Sequence, residues 1–203
     1  MASFTPVSGT AERQLILAST SPFRSELLSR LGIPFSVANP ETDEAPLPDE
    51  PPDRTAIRLA ISKAQVIADK FPSSLIVGAD QVACSMGRQY GKPGSRERAV
   101  SQLAEMSGKS VVFHTAVALI NSASGKAHST CVPTEVRFRH LSGEEIERYV
   151  DADKPFNCAG SAKSESLGIA LLEYLRGDDP TALIGLPLIA LCHMLRREGV
   201  TLP

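Results

Sequence analysis

Apolar residues in this chain come in short runs that end abruptly at hydroxyl, glycine or proline residues, the punctuation of alternating strands and helices. The first run, Leu15 to Ala18, halts at Ser19-Thr20-Ser21-Pro22 and passes into a stretch with Leu27, Leu28 and Leu31 on one face and Gly32 at its end. This predicts a strand feeding straight into a helix, with Ser21 as N-cap and Pro22 at the first helical position. A short apolar stretch, Phe35 to Ala38, precedes a proline- and acid-rich segment from Pro40 to Asp53 that reads as an exposed loop. Helical spacing then runs from Arg54 to Lys70, with Asp53 as the expected N-cap.

Ser74 to Ala83 is rich in strand formers, Arg88 to Lys92 is a candidate return strand, and Pro93 breaks the pattern. Ser95 to Met106 has helical spacing with Ala99, Leu103 and Met106 inward, closed by Gly108. Ser110 to Ile120 and His128 to His140 flank the turn Asn121 to Gly125 and predict a long hairpin. Ser142 and Glu145 have the spacing of a capping box. Phe156 to Lys163 reads as loop, Gly168 to Leu175 as a strand, and Gly177 to Pro180 as a turn. Pro187 opens a last apolar helix that ends with Arg196, Arg197 and Gly199. Strands and helices alternate without strict βαβ order, which predicts an α/β or α+β domain with a mixed sheet.

Composition narrows the class. At 203 residues, 42% hydrophobic and 22% charged, the chain suits one domain with a real core. A net charge of −2 argues against a broad nucleic-acid or anionic-membrane surface, so any anion site must be a local cluster of cations. The four cysteines, Cys84, Cys131, Cys158 and Cys192, form no C-x-x-C pair. Residues Met1 to Arg13 lack the pattern of a secretory signal and read as a flexible extension before a single domain over 14–203. No apolar stretch is long enough to span a bilayer, and the expected compartment is the cytoplasm.

Several polar residues stand in apolar places. Lys63 has Leu59, Ala60, Val66 and Ile67 as helical neighbours, so it projects from the buried stripe. It either snorkels to water along its own stem or faces a cleft. Asp80 follows the strand-like run Leu75 to Ala79, where a carboxylate is costly unless paired or metal-bound. Either the strand ends at Gly78 and Asp80 opens a turn, or it is a buried functional carboxylate; the apolar pair Val82-Ala83 favours the second. Ser19, Thr20, Ser21 and Arg24 at a helix start make a place for a phosphate, although many Ser-Pro helix starts bind nothing. Glu41, Glu44, Lys92, Lys163 and Glu165 each read as ordinary loop residues in isolation. No P-loop or Rossmann glycine motif is present, and no Ser-His-Asp or Cys-His set stands out.

Taken in order, these pieces form a set: Leu17-Ala18-Ser19-Thr20-Ser21-Pro22-Phe23-Arg24, Pro40-Glu41-Thr42-Asp43-Glu44, Lys63-Ala64, Gly78-Ala79-Asp80-Gln81, Gly91-Lys92-Pro93, Cys158 to Glu165, and Gly185 to Cys192. The set resembles the Maf family of nucleoside triphosphate pyrophosphatases over nearly the whole chain, from Gln14 to Gly199. The resemblance implies an α/β fold of the Maf/ITPase kind, an elongated mixed sheet flanked by helices and split by a deep cleft, often as a homodimer. It implies hydrolysis of a nucleoside triphosphate to the monophosphate and diphosphate, with a divalent cation, Mg2+ or Mn2+, as cofactor. Phe23 and Gln81, together with Ser161 to Glu165, resemble the branch that acts on 7-methyl-GTP. The dTTP/UTP branch typically has arginine and threonine at the first two positions. The 7-methyl-GTP branch often has tryptophan where this chain has Phe23.

Under this resemblance Asp80 is the proton acceptor, with Lys63 and Lys92 as catalytic partners. Ser19, Arg24, Lys63, Lys92 and Lys163 would bind phosphate, and Glu41, Glu44 and Asp80 would hold the metal. Phe23, Gln81 and Glu165 would choose the base. The physics agrees, since N7-methylation makes guanine cationic, favoured by an aromatic face and a carboxylate. Glu165 would also accept from the base's N1–H and exocyclic amine. The remaining alternatives are dTTP/UTP or broader nucleotide specificity, and a non-catalytic nucleotide sensor acting in cell division.

Overall fold

The computed structural model describes residues 13–45 and 47–203; of the extension expected over residues 1–13, residues 1–12 lie outside the described residues. The first apolar run is strand β1 (Leu15–Ala18), buried on both faces. It leads through Ser19-Thr20-Ser21 into helix α1 (Pro22–Ser29), where the Ser21 side chain accepts from the Arg24 N–H and Pro22 opens the first turn. β2 (Phe35–Ala38) matches its apolar stretch. Helix α2 (Pro52–Ala68) starts earlier than the spacing predicts. Asp53 is not its N-cap but lies in the first turn, because Pro51 is extended and Pro52, which has no N–H to satisfy, fits the first helical position.

The long strand β3 (Leu75–Ser85) continues through Asp80 and turns back into β4 (Arg88–Tyr90). α3 (Arg96–Met106) follows, with Ala99, Leu103 and Met106 fully buried as the spacing predicts. β5 (Ser110–Asn121) and β6 (Lys126–Phe138) form the long hairpin, and α4 (Gly143–Asp153) begins with a complete Ser142–Glu145 capping box. The expected strand from Gly168 is only half right. Leu167–Leu171 is a 3-10 turn, and β7 starts at Leu172 (Leu172–Gly177). The turn is forced by close approach, since a Cβ on Gly168 would lie 2.5 Å from the Lys163 carbonyl oxygen. α5 (Leu188–Arg197) completes the chain.

The strands form one mixed sheet in the order β2-β1-β3-β5-β6-β7, with β4 paired to the far end of β3. β1 runs parallel to β2 and β3, and the remaining pairs are antiparallel. Because side chains alternate along a strand, β1 and β3 send Leu15, Leu17, Leu75, Val77 and Ala79 toward α1 and α5. Ile16, Ala18 and Ile76 go to the opposite face, under α2. A separate core beyond the middle of β3 gathers Ala83, Tyr90, Phe113 and Phe138 beneath α3 and α4. Burying a side chain the size of Phe138 is worth roughly 1.5–3 kcal/mol. The long strands β3, β5 and β6 thus carry two lobes, and the cleft opens where the cores part.

At the opposite end of the sheet Glu198, just past α5, ties the segment before β1 to the β5–β6 hairpin. It accepts from Asn121 at 2.5 Å and contacts the His128 ring at 2.8 Å. Arg13, read with the extension, instead donates to the Glu198 carbonyl at 2.6 Å. No helix among the described residues is long and apolar enough to cross a membrane.

Candidate active site

Strand alternation decides which of two adjacent polar residues faces which wall. Asp80 falls on the α2 side of β3, and Gln81 on the α1 and α5 side. Gly78 lets α2 lie flat on the strand, since a Cβ there would sit 2.1 Å from the Ala60 carbonyl oxygen. That approach brings Lys63 over Asp80. Both are buried, 4% and 7% exposed, and the Lys63 ammonium donates to Asp80 Oδ1 at 2.6 Å. The snorkelling reading of Lys63 is thereby excluded, as is the reading of Asp80 as the start of a turn.

The acidic loop closes over this pair. Glu44 reaches the same Lys63 nitrogen at 2.6 Å from the other side. Burial alone would raise the Glu44 carboxyl, but the Lys63 bond and the nearby Lys92 and Arg24 charges outweigh it and hold it below the usual carboxylate range. The loop is fixed to α2 by a second device. Arg58 grips Glu50 through two bonds of 2.7 Å and donates to the Ala45 carbonyl at 3.2 Å. The Arg58 bonds, aided by the Thr55 hydroxyl, hold the Glu50 carboxyl down to about 2.

These groups line a cavity of about 1070 Å³, ample for a nucleoside triphosphate. Its wall includes Ser19, Thr20, Phe23, Arg24, Glu41, Glu44, Lys63, Asp80, Gln81, Lys92, Lys163 and Glu165, so the sequence-predicted site residues converge on one space. The Ser19 Oγ is buried and accepts from the Ser21 N–H at 3.1 Å, shaping the entrance to α1. Arg24 donates through Nε to the Gly185 carbonyl at 3.0 Å. Burial pulls its guanidinium below the ordinary value while Asp80 and Glu44 oppose that, and it stays cationic.

Three candidates sit differently from expectation. Glu41 lines the cavity, but among the described residues no three His, Cys, Asp or Glu side chains gather as a metal cluster; two carboxylates, Glu44 and Asp80, converge on one point. Gln81 spends its amide nitrogen inside the protein, donating to Thr115 Oγ1 at 2.9 Å and the carbonyls of Ala182 and Leu183 at 3.2 and 2.9 Å. Two carbonyls can only accept, which fixes the amide orientation and leaves Oε1 for a ligand. Lys163 directs its ammonium to the Asp153 carbonyl rather than to the basic wall.

Glu165 is exposed at the rim, and desolvation by the cavity wall pushes its carboxyl above the ordinary range. Cys158 also lines the space; burial first, then the Glu165 charge, push its thiol up to about 11. Asn157, Tyr90 and Lys154 are wall residues that the spacing did not single out. The only local signal for Lys154 is its position after α4, where it adopts a left-handed φ of 46°.

Fold and cavity define a class: a mixed-sheet α/β protein whose polar cleft sets basic side chains against buried carboxylates. The chain belongs to the family described as Maf-like protein, which matches residues 14–198. It is 55% identical over 190 residues to a protein of Aromatoleum aromaticum named 7-methyl-GTP pyrophosphatase, covering 94% of this chain and 98% of that one. Relatives of the same name in Polaromonas sp. (54% over 190 residues, 94% and 87% covered) and Methylobacillus flagellatus (53% over 186 residues, 92% and 97% covered) are similarly close.

Proposed function

We propose that this chain is a nucleoside triphosphate pyrophosphatase that hydrolyses 7-methyl-GTP to 7-methyl-GMP and diphosphate. The observation that carries the reading is the convergence of Lys63, Asp80 and Glu44 in a cavity that also holds Arg24, Lys92, Phe23 and Glu165. The relatives named for this activity, at more than half identity over nearly their whole length, support the choice of base.

Ser19, Arg24 and Lys92 bind the triphosphate, concentrating positive charge locally in a chain of net charge −2. Asp80 accepts the proton of the water that attacks the α-phosphorus, and Lys63 holds that carboxylate in place. Phe23 gives the cationic ring an aromatic face, and Glu165 accepts from the guanine edge. A pyrimidine has neither the charge nor the paired donors. The two convergent carboxylates, Glu44 and Asp80, are hard oxygen donors that suit Mg2+ or Mn2+ completed by substrate phosphates, with Glu41 near enough to line the same space. When bound, the metal neutralises phosphate charge and makes the attacking water more acidic. We further propose that the protein acts in the cytoplasm as a single domain over 14–203, on a nucleotide and not on nucleic acid or membrane, with the homodimer that the resemblance implies as the assembly to test.

The test is a panel of 7-methyl-GTP, GTP, dTTP and UTP, incubated with purified protein and Mg2+ or Mn2+ and read by diphosphate release. Diphosphate from 7-methyl-GTP in preference to the pyrimidines is expected. Cleavage of dTTP with 7-methyl-GTP left intact would overturn the base assignment, and orthophosphate as first product would overturn the reaction class.

A further inference from the structure

Glu165 lies on an irregular loop between Ser161 and the turn at Leu167, and an exposed carboxylate on such a loop selects a base only if the backbone beneath it is fixed. The fixing point is Asp153, the last residue of α4. Ser166 donates to Asp153 Oδ1 at 2.8 Å. The Lys163 ammonium donates to the Asp153 carbonyl and lies 3.6 Å from the same Oδ1. Lys163 and Ser166 stand on either side of Glu165, so both flanks of the carboxylate are tied to one residue.

The tie continues into the lobe beneath α3 and α4. The Lys163 N–H donates to the Tyr149 hydroxyl at 3.0 Å, and Tyr149 is buried in that core. The Ser166 N–H closes the loop on the Lys163 carbonyl at 3.1 Å, and Gly168 packs against the Lys163 backbone where no Cβ fits. The Asp153 side chain is 9% exposed, so losing the Lys163 cation would strand a nearly buried carboxylate. That cost opposes any movement of the Lys163 ammonium to a phosphate.

We infer that Asp153 is a positioning residue for base selection: with Lys163 and Ser166 it clamps the loop that presents Glu165, and Lys163 serves the clamp rather than the triphosphate. The inference rests on the proposed function and deepens it. A loop ordered before binding spares the substrate the entropy of ordering it, so the gain falls on the nucleotide whose base Glu165 reads.

The experiment measures kcat and KM on 7-methyl-GTP and dTTP, and calorimetric binding of inorganic diphosphate and 7-methyl-GMP, for wild type and for Asp153→Asn, Ser166→Ala, Lys163→Met and Lys163→Arg. Asp153→Asn, Ser166→Ala and Lys163→Met are expected to raise KM for 7-methyl-GTP roughly tenfold, the equivalent of one charge-assisted hydrogen bond, with kcat and the dTTP values unchanged. Diphosphate affinity stays at the wild-type value in Lys163→Met, and Lys163→Arg restores 7-methyl-GMP binding. Weaker diphosphate binding in Lys163→Met, or equal losses on both nucleotides in Ser166→Ala, would overturn the clamp. Ser166 is exposed, so that variant decides the question even if Asp153→Asn does not fold. If the wild-type enzyme prefers another nucleotide to 7-methyl-GTP, the proposed function fails, and the clamp is judged by the same ratios on the preferred one.

Discussion

The Lys63 ammonium lies 2.6 Å from Asp80 Oδ1, and both side chains are almost wholly buried although one comes from a helix and the other from the centre of a sheet. A pair removed from water this far is held by its own partners, because either charge alone would be costly. Asp80→Asn keeps the oxygen acceptor and Lys63→Met removes the cation, so the two variants separate chemistry from folding. Asp80→Asn should retain the fold and lose roughly 10²–10⁴-fold in kcat. Lys63→Met should lose activity and also about 3–5 kcal/mol of stability. Diphosphate release and urea unfolding check the two effects. An Asp80→Asn enzyme with wild-type turnover would remove Asp80 from the role of base.

Gly78 sets the distance between α2 and β3. Gly78→Ala would place a methyl group 2.1 Å from the Ala60 carbonyl and 2.9 Å from Ala64, neither of which is a flexible side-chain end. The helix must shift, at a cost of about 1–3 kcal/mol, and carries Lys63 with it. A lowered thermal midpoint together with loss of diphosphate release is expected. Full activity in Gly78→Ala would mean that the Lys63–Asp80 spacing is not set by this contact.

Acid should loosen the molecule at two places. The Glu44 carboxyl is held below its ordinary range, as described above. Burial would raise Glu198, but its bonds from Asn121 and His128 prevail and lower it. A carboxyl lowered in the folded state contributes stability that is present above its unfolded value, about 4.3, and lost as pH falls through the folded one. The thermal midpoint should therefore hold at neutral pH and decline as the pH drops below about 4.3. Glu198→Gln should lower the midpoint at pH 7 and converge on wild type in acid. Parallel curves for the two proteins would exclude Glu198 as a source of the acid limb.

Phe23 is half-buried on the wall where the base would lie. Replacing it with arginine removes the aromatic face and sets a cation against a cationic ring. Phe23→Arg should reduce kcat/KM for 7-methyl-GTP by roughly tenfold, the scale of a desolvated cation–π contact, and affect dTTP less. Phe23→Trp should raise 7-methyl-GTP turnover. Equal losses on both nucleotides in Phe23→Arg would make Phe23 a packing residue.

Much of this protein was legible along the chain. Ser21-Pro22 marks the N-cap and first helical position of α1, the Ser142–Glu145 box closes on itself, and short apolar runs mark β1, β3 and β5. These are local rules, decided by backbone donors within a few residues. Even the errors were local. Pro51 and Pro52 took the helix start from Asp53, and the Gly168 turn replaced half a strand. The motif order from Ser19 to Glu165 also carried the family resemblance without any coordinates.

Tertiary structure alone decided what the polar residues do. Lys63 on its apolar stripe was equally consistent with snorkelling, and only the approach of α2 at Gly78 set it on Asp80. Gln81 gave no sign that its amide nitrogen would be consumed by carbonyls 101 and 102 residues away. Lys163, placed with the phosphate ligands by its motif, turned instead to Asp153. Charge and hydrogen bonding act over a few ångströms in space, whatever the separation in sequence. The chain therefore determined which chemical groups were present and on which face of each element, and the fold determined which partner each group met.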